Sequence, residues 1–187
     1  MTLESHRLVV GYHGCDRSVA EAVLVTGHHL EPSDNTYDWL GRGIYFWEHG
    51  PHRARQFAEW KQRRGKLKEP AVIGAYIKLG ACFDLTDTQA TKLLAGFYDG
   101  LVEAFRVTER QMPENRPAKG HEPDDLTLRE LDCAVLNFGL EDHYQTVRGV
   151  FVEGEPAYPG AAIRTQTHVQ IAVRDPACIL GYFRVPE

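Results

Sequence analysis

Two spacings of apolar residues run through this chain, and they divide it into strands at both ends and helices between. The opening RLVVGYHGC, residues 7–15, is rich in β-branched and aromatic residues and predicts a buried strand that closes in His13-Gly14. DRSVAEAVLVTG follows, with an N-cap at Asp16 or Ser18, apolar positions at Val19, Ala20, Val23 and Leu24, and Gly27 as a stop. That pattern predicts a short amphipathic helix. HHLEPSDNTYDWLGRG, residues 28–43, is turn-rich and polar, so it predicts a surface loop that feeds the strand IYFWE. Beyond Pro51, which suits a first helical turn, Ala54, Phe57, Ala58 and Trp60 recur at helical spacing.

AVIGAYIKLGACFDLT reads as a strand, or a strand pair with a bulge at Gly80. Helical periodicity returns over residues 87–106 and again over 124–140, with MPENRPAKGHEPDD, residues 112–125, as a linker between them. TVRGVFVEG alternates in part, EPAYPGAAI is a loop, and RTQTHVQIAVRDPACILGYFRV supplies one or two last strands joined at Asp175-Pro176. With no internal repeat, the expectation is one α+β domain over residues 1–187.

Composition narrows the classes. A length of 187 residues with 43% hydrophobic content is enough for one sizeable core. The chain shows no run of eighteen apolar residues and no signal-peptide pattern at its start, so a soluble cytoplasmic protein with no membrane partner is expected. Cys15, Cys82, Cys133 and Cys178 lack paired or finger-like spacing, and the histidines His6, His28, His29, His49, His52, His121 and His143 show no ligand pattern; no metal is expected. No G-x-S-x-G turn supports a serine hydrolase. The formal net charge of −5 argues against a general basic field for nucleic acid, yet HRARQFAEWKQRRGKLK gathers a local basic stretch over residues 52–68. That stretch reads either as a solvated helix face or as a local patch.

Polar residues then stand out on the predicted strands: His13 in YHG, Tyr45 in GIYF, and His168 and Gln170 in THVQIAV. Alternation over the last strand would put Arg164, Gln166, His168 and Gln170 on one face and Val169, Ile171 and Val173 on the other. A row of four polar side chains predicts a face toward solvent or a cleft.

Tyr12-His13-Gly14, followed by Gly43-Ile44-Tyr45-Phe46 and a polar position on a late strand, resembles the ADP-ribosyltransferase superfamily, in its diphtheria-toxin and poly(ADP-ribose)-polymerase-like branch. That branch carries His, Tyr and a third residue, usually Glu, on three core strands. The resemblance spans most of the chain as an order of elements and rests on three short motifs. It implies a split mixed or antiparallel sheet with helices inserted between strands, NAD as co-substrate, and a reaction that breaks the nicotinamide–ribose bond through an oxocarbenium-like transition state.

On that resemblance His13 would bond ribose hydroxyls, and Gly14 would offer its main chain to the nicotinamide carboxamide. Tyr45 would stack on the nicotinamide ring, with Tyr12 and Gly43 beside it. The loop 31–42 would cover the donor, and Arg42, or Arg53 and Arg55, would meet the pyrophosphate. Gln170 stands where Glu is usual; an amide bonds a hydroxyl but carries no charge and is no base. His168 and Glu153 are the two nearby groups that would supply what Gln170 lacks. The plain alternatives are a strand histidine and a turn residue before Gly154.

The expected activity is therefore mono-ADP-ribosylation of a protein, RNA or DNA by a small toxin- or effector-like enzyme. An inhibitory antitoxin or immunity protein would then be a partner. NAD glycohydrolase activity on the same pocket is one alternative, and a catalytically silent NAD- or ADP-ribose-binding module is another.

Overall fold

The computed structural model describes residues 4–120, 126–141 and 143–186. His121 and residues 122–125 of the predicted linker lie outside them, as do the first two positions of the helix expected over 124–140. The architecture is α+β: a mixed six-stranded sheet and, among the described residues, four α-helices.

Strand β1 (Glu4–Asp16) runs antiparallel to the long β3 (Pro70–Asp84) along nearly its whole length. β8 (Ile179–Arg184) pairs with the other edge of β3. A second trio consists of β2 (Ile44–Glu48), β7 (His168–Val173) and β6 (Thr146–Phe151). Among the described residues the two trios join at two places. β1 meets β2 at Gly11↔Glu48 and Tyr12↔Trp47, and the end of β3 meets β6 in parallel over residues 82–84. Between those junctions the sheet is split. The inward faces, including Val9, Ile44, Phe46, Ile73, Ile77 and Ile171, fill the space between the trios as the main core cluster.

Local chemistry explains the connections. The Asp16 carboxylate accepts from the Ser18 amide and starts α1 (Arg17–Thr26), which Gly27 ends in the left-handed conformation at φ 71°. Pro51 opens α2 (Pro51–Arg63). This helix lies across the β1–β2 junction, so close to β1 that a Cβ on Gly14 would overlap the Ala54 carbonyl. α3 (Thr88–Val107) and α4 (Glu130–Leu140) pack on each other and on the outer face of the second trio around Leu40, Phe83, Leu136 and Val147. The predicted bulge at Gly80 falls where the β1–β3 register shifts, and Gly80 has φ 59°.

Two expectations are corrected. The stretch 112–125 is not a plain linker: Asn115–Arg116 forms β4, which pairs with β5 (Leu128–Arg129). Asn115 Oδ1 accepts from the amides of Leu131 and Asp132, so the start of α4 is capped from a distance and falls at residue 130 rather than 124. The last polar strand begins only at His168. Arg164 and Gln166 precede it in the loop, where Arg164 bridges Pro156 and the Gln166 amide donates to the Glu153 carbonyl. The expected row of four polar side chains is reduced to His168 and Gln170.

Candidate functional site

The site is built where β1 and β2 part. The Val10 carbonyl accepts from His49 on the β2 side, and the Arg17 amide donates to Glu69 on the β3 side. Alternation between those fixed points turns the N–H and C=O of Gly14 toward β2, into the gap that β2 no longer fills. Tyr45 faces the same gap from β2 with its carbonyl, and the His13 imidazole takes the place of the missing strand partner: its Nδ1–H donates to Tyr45 O at 2.7 Å. Nε2 is thereby the bare acceptor nitrogen. Burial holds His13 near pKa 4, and the charge of Lys61 on α2 pushes the same way, so the ring is neutral at physiological pH. Lys61 is itself half-buried, its pKa lowered first by burial and then by Lys66.

The ring of Tyr45 is packed partly against the Leu40, Phe83 and Ala172 cluster. Its hydroxyl donates to the Gly41 carbonyl at 2.6 Å and accepts from the Leu40 amide at 2.8 Å. Tyr45 thus pins the loop that leads into its own strand. Gly41, at φ 73°, makes the turn this requires. Burial raises the phenol pKa, which keeps the hydroxyl a donor. Arg42 is exposed on that loop, with its amide held by Asn137 Oδ1.

A second group gathers on the same sheet face as Tyr45. Trp47 lies opposite Gln170 in the β2–β7 register. His168 is 8% exposed, and its Nδ1 lies 2.8 Å from the Gln166 carbonyl. A carbonyl only accepts, so Nδ1 carries the proton and Nε2 must accept. Gln170 therefore turns its Nε2–H to His168 Nε2 at 3.1 Å, which leaves the Gln170 carbonyl oxygen as the free end of the amide. Burial, and after it Arg53, depress the His168 pKa against the opposing effects of the Gln166 carbonyl and Glu153.

Arg53 Nη2 reaches Glu153 Oε2 at 2.9 Å, and that same oxygen is 3.5 Å from His168 Nδ1. Glu153 lies two residues beyond the end of β6 and not within a strand. Trp47 Nε1 and Arg53 Nε are buried donors with no acceptor among the described residues. Such orphans suit a ligand rich in oxygen.

Of the residues singled out from the sequence, Arg53, Glu153, His168 and Gln170 converge. His13, Gly14 and the Tyr45 carbonyl meet at the gap, with Tyr12 half-buried beside them in the β1–β2 junction. Gly43, at φ 155°, carries the turn into β2. Among the described residues no group of three or more His, Cys, Asp or Glu side chains is placed to hold a metal, and no helix is long and apolar enough to cross a membrane. The four cysteines are free thiols, three of them buried.

Sequence reasoning missed Trp47 and Lys61. Lys61 had a signal, since it lies three residues beyond buried Ala58 on the core-facing half of α2, whereas the place of Trp47 opposite Gln170 is set by the β2–β7 register. It also missed a cavity of about 350 Å³ behind Phe151, where Arg129 lies 4.0 Å above the Trp39 ring. The Phe151 ring in turn lies 5.8 Å from His168.

No protein-family model matches the chain. It is similar to the uncharacterized protein MJ0359 of Methanocaldococcus jannaschii, with 36% identity over 108 residues that cover 56% of this chain and 48% of the archaeal one. The chain thus spans about half the length of the curated relative it matches.

Proposed function

We propose that this chain is an NAD-dependent mono-ADP-ribosyltransferase that transfers ADP-ribose to a macromolecular acceptor. The observation that carries the reading is the parting of β1 and β2, where a neutral imidazole with a bare Nε2 sits beside the main-chain edge of Gly14 that β2 does not pair. An ordered gap with one acceptor nitrogen and one amide edge is complementary to a ribose hydroxyl and a carboxamide. The split sheet and the strand order His13, Tyr45, Gln170 support the ADP-ribosyltransferase type of fold.

In this mechanism His13 Nε2 accepts from a ribose hydroxyl, and Gly14 N–H and C=O pair with the carboxamide. Arg53, Lys61 and the Trp47 indole N–H are the donors available to the pyrophosphate. The bond from the ribose C1′ to the nicotinamide nitrogen breaks, its electron pair stays on the ring, and neutral nicotinamide leaves. The positive charge that develops on the sugar is met by the Gln170 carbonyl, whose oxygen is the negative end of an amide oriented by His168. The acceptor nucleophile then attacks C1′, and Glu153 is the carboxylate of this network that can take its proton.

A catalytically silent NAD-binding module is the second reading. It is favoured by one observation: Gln170, not a carboxylate, stands in register with Trp47. The test is incubation with adenine-labelled NAD and cell extract, followed by separate protease and nuclease digestion. A transferase leaves label on a macromolecule, a glycohydrolase leaves free labelled ADP-ribose, and a silent module leaves NAD intact.

A further inference from the structure

An aromatic ladder leads out of the site along α2. Arg53, Phe57, Trp60 and Arg64 follow one another at helical spacings of four, three and four residues, so they share one stripe. Buried Trp47 lies 5.0 Å from Phe57, and Phe57 stacks on Trp60 at 5.6 Å with only 18° between the rings. The Arg64 guanidinium covers Trp60 at 4.3 Å, and Lys61 Nζ lies 4.8 Å from the Phe57 centroid. Trp60 is 38% exposed, an uncommon place for the costliest apolar ring. Residues 51–68 hold seven Lys and Arg against the single Glu59, in a chain whose net charge is −5. The densest run of positive charge in the sequence therefore lies on this helix and its exposed exit at Arg63, Arg64, Lys66 and Lys68.

We propose that this stripe is a track for single-stranded nucleic acid, which delivers a nucleobase or its sugar to the Gln170–His168 end; the delivery clause rests on the transferase reading above. Unpaired bases offer flat faces to a ladder of rings, and their phosphates suit a row of cations. An acidic polypeptide would use the charges and leave Trp60 unexplained. A duplex hides the base faces that the rings would meet.

The test is fluorescence anisotropy with a labelled single strand of about twelve nucleotides, as DNA and as RNA, across a salt series. A matched duplex and a polyglutamate peptide serve as competitors. The intact protein should bind one or both single strands, with affinity falling steeply as salt rises. Trp60→Ala should weaken binding roughly five- to a hundredfold, the range for losing one stacked base, and Trp60→Phe should restore much of it. The pair Arg63→Glu and Arg64→Glu should weaken it more than tenfold, and Arg106→Glu on exposed α3 should change it less than twofold. The proposal is overturned by any of three results: Trp60→Ala binding like the parent, Arg106→Glu weakening binding as much as the α2 pair, or duplex or polyglutamate competing as well as the single strand. Nicotinamide release from NAD alone is read in parallel and should be unchanged in Trp60→Ala. A parent that neither releases nicotinamide from NAD nor labels a macromolecule in cell extract defeats the transferase reading and leaves the binding result standing on its own.

Discussion

His13 Nδ1 stands 2.7 Å from the main-chain oxygen of Tyr45, so these two residues of neighbouring strands are joined through a carbonyl and not ring to ring. The bond satisfies a strand edge that β1 abandons and fixes the tautomer of the imidazole. One contact thus serves folding and leaves an acceptor nitrogen for a ligand.

Burial of the His13 ring, against the opposing effect of this hydrogen bond, makes stability depend on pH. The folded pKa of His13 is near 4 against an ordinary 6.5, so the unfolded chain takes up the proton first as pH falls. The stabilisation is complete above pH 6.5 and erodes as pH drops toward 4, by up to about 3 kcal/mol. His168, depressed as well, adds to the same slope. His13→Asn should flatten part of it, measured by urea unfolding at several pH values between 4.5 and 7.5. An unchanged slope would assign the effect elsewhere.

The Tyr45 hydroxyl holds Leu40 and Gly41, which sets the expectation for its removal. Tyr45→Phe keeps the ring and should cost about 1–3 kcal/mol in unfolding free energy. Its KM for NAD should rise roughly tenfold with kcat within a few-fold of the parent. Tyr45→Ala should lose both. If Tyr45→Phe matches the parent in KM, the pinned loop has no part in donor binding.

Much of the fold was legible because its signals are local. Asp16 caps and Gly27 stops α1 and Pro51 opens α2, while β1 forms over the predicted RLVVGYHGC but runs past His13-Gly14 to Asp16 because β3 goes on pairing with it. What was not legible depends on distant partners. Asn115 caps α4 across the loop, so no periodicity within 124–130 could place that start. Alternation was carried back to Arg164, although that segment folds against Glu155 and Pro156 before the strand begins. The site residues on β7 were legible as a polar pair. The role of Trp47 required the β2–β7 register, which only the folded chain supplies.

Gln170 gives a paired test. Gln170→Ala should lower nicotinamide release by roughly one to three powers of ten, as for a lost transition-state hydrogen bond. Gln170→Glu should keep or raise the rate at acid pH and lose that gain as pH rises. A carboxylate facing His168 Nε2 is accommodated once the imidazole takes a second proton, which raises the His168 pKa. A flat profile between pH 5.5 and 8 would show that His168 and residue 170 are uncoupled.

Glu153 holds Arg53 and lies beside His168. Glu153→Gln should reduce turnover at least tenfold while NAD binding changes little. Single-turnover nicotinamide release together with calorimetric NAD titration separates the two. An equal loss in both would assign Glu153 to holding Arg53 alone.

Transferase chemistry at this site requires that the gap between β1 and β2 bind NAD and promote cleavage of its nicotinamide–ribose bond. The most direct measurement is chromatographic quantification of nicotinamide released from NAD by the purified protein, alongside His13→Asn and Gln170→Ala variants shown to be folded by circular dichroism. The account predicts repeated turnover by the parent and a loss of at least tenfold in each variant. Folded parent protein that neither binds NAD nor releases nicotinamide above the uncatalysed rate would contradict it.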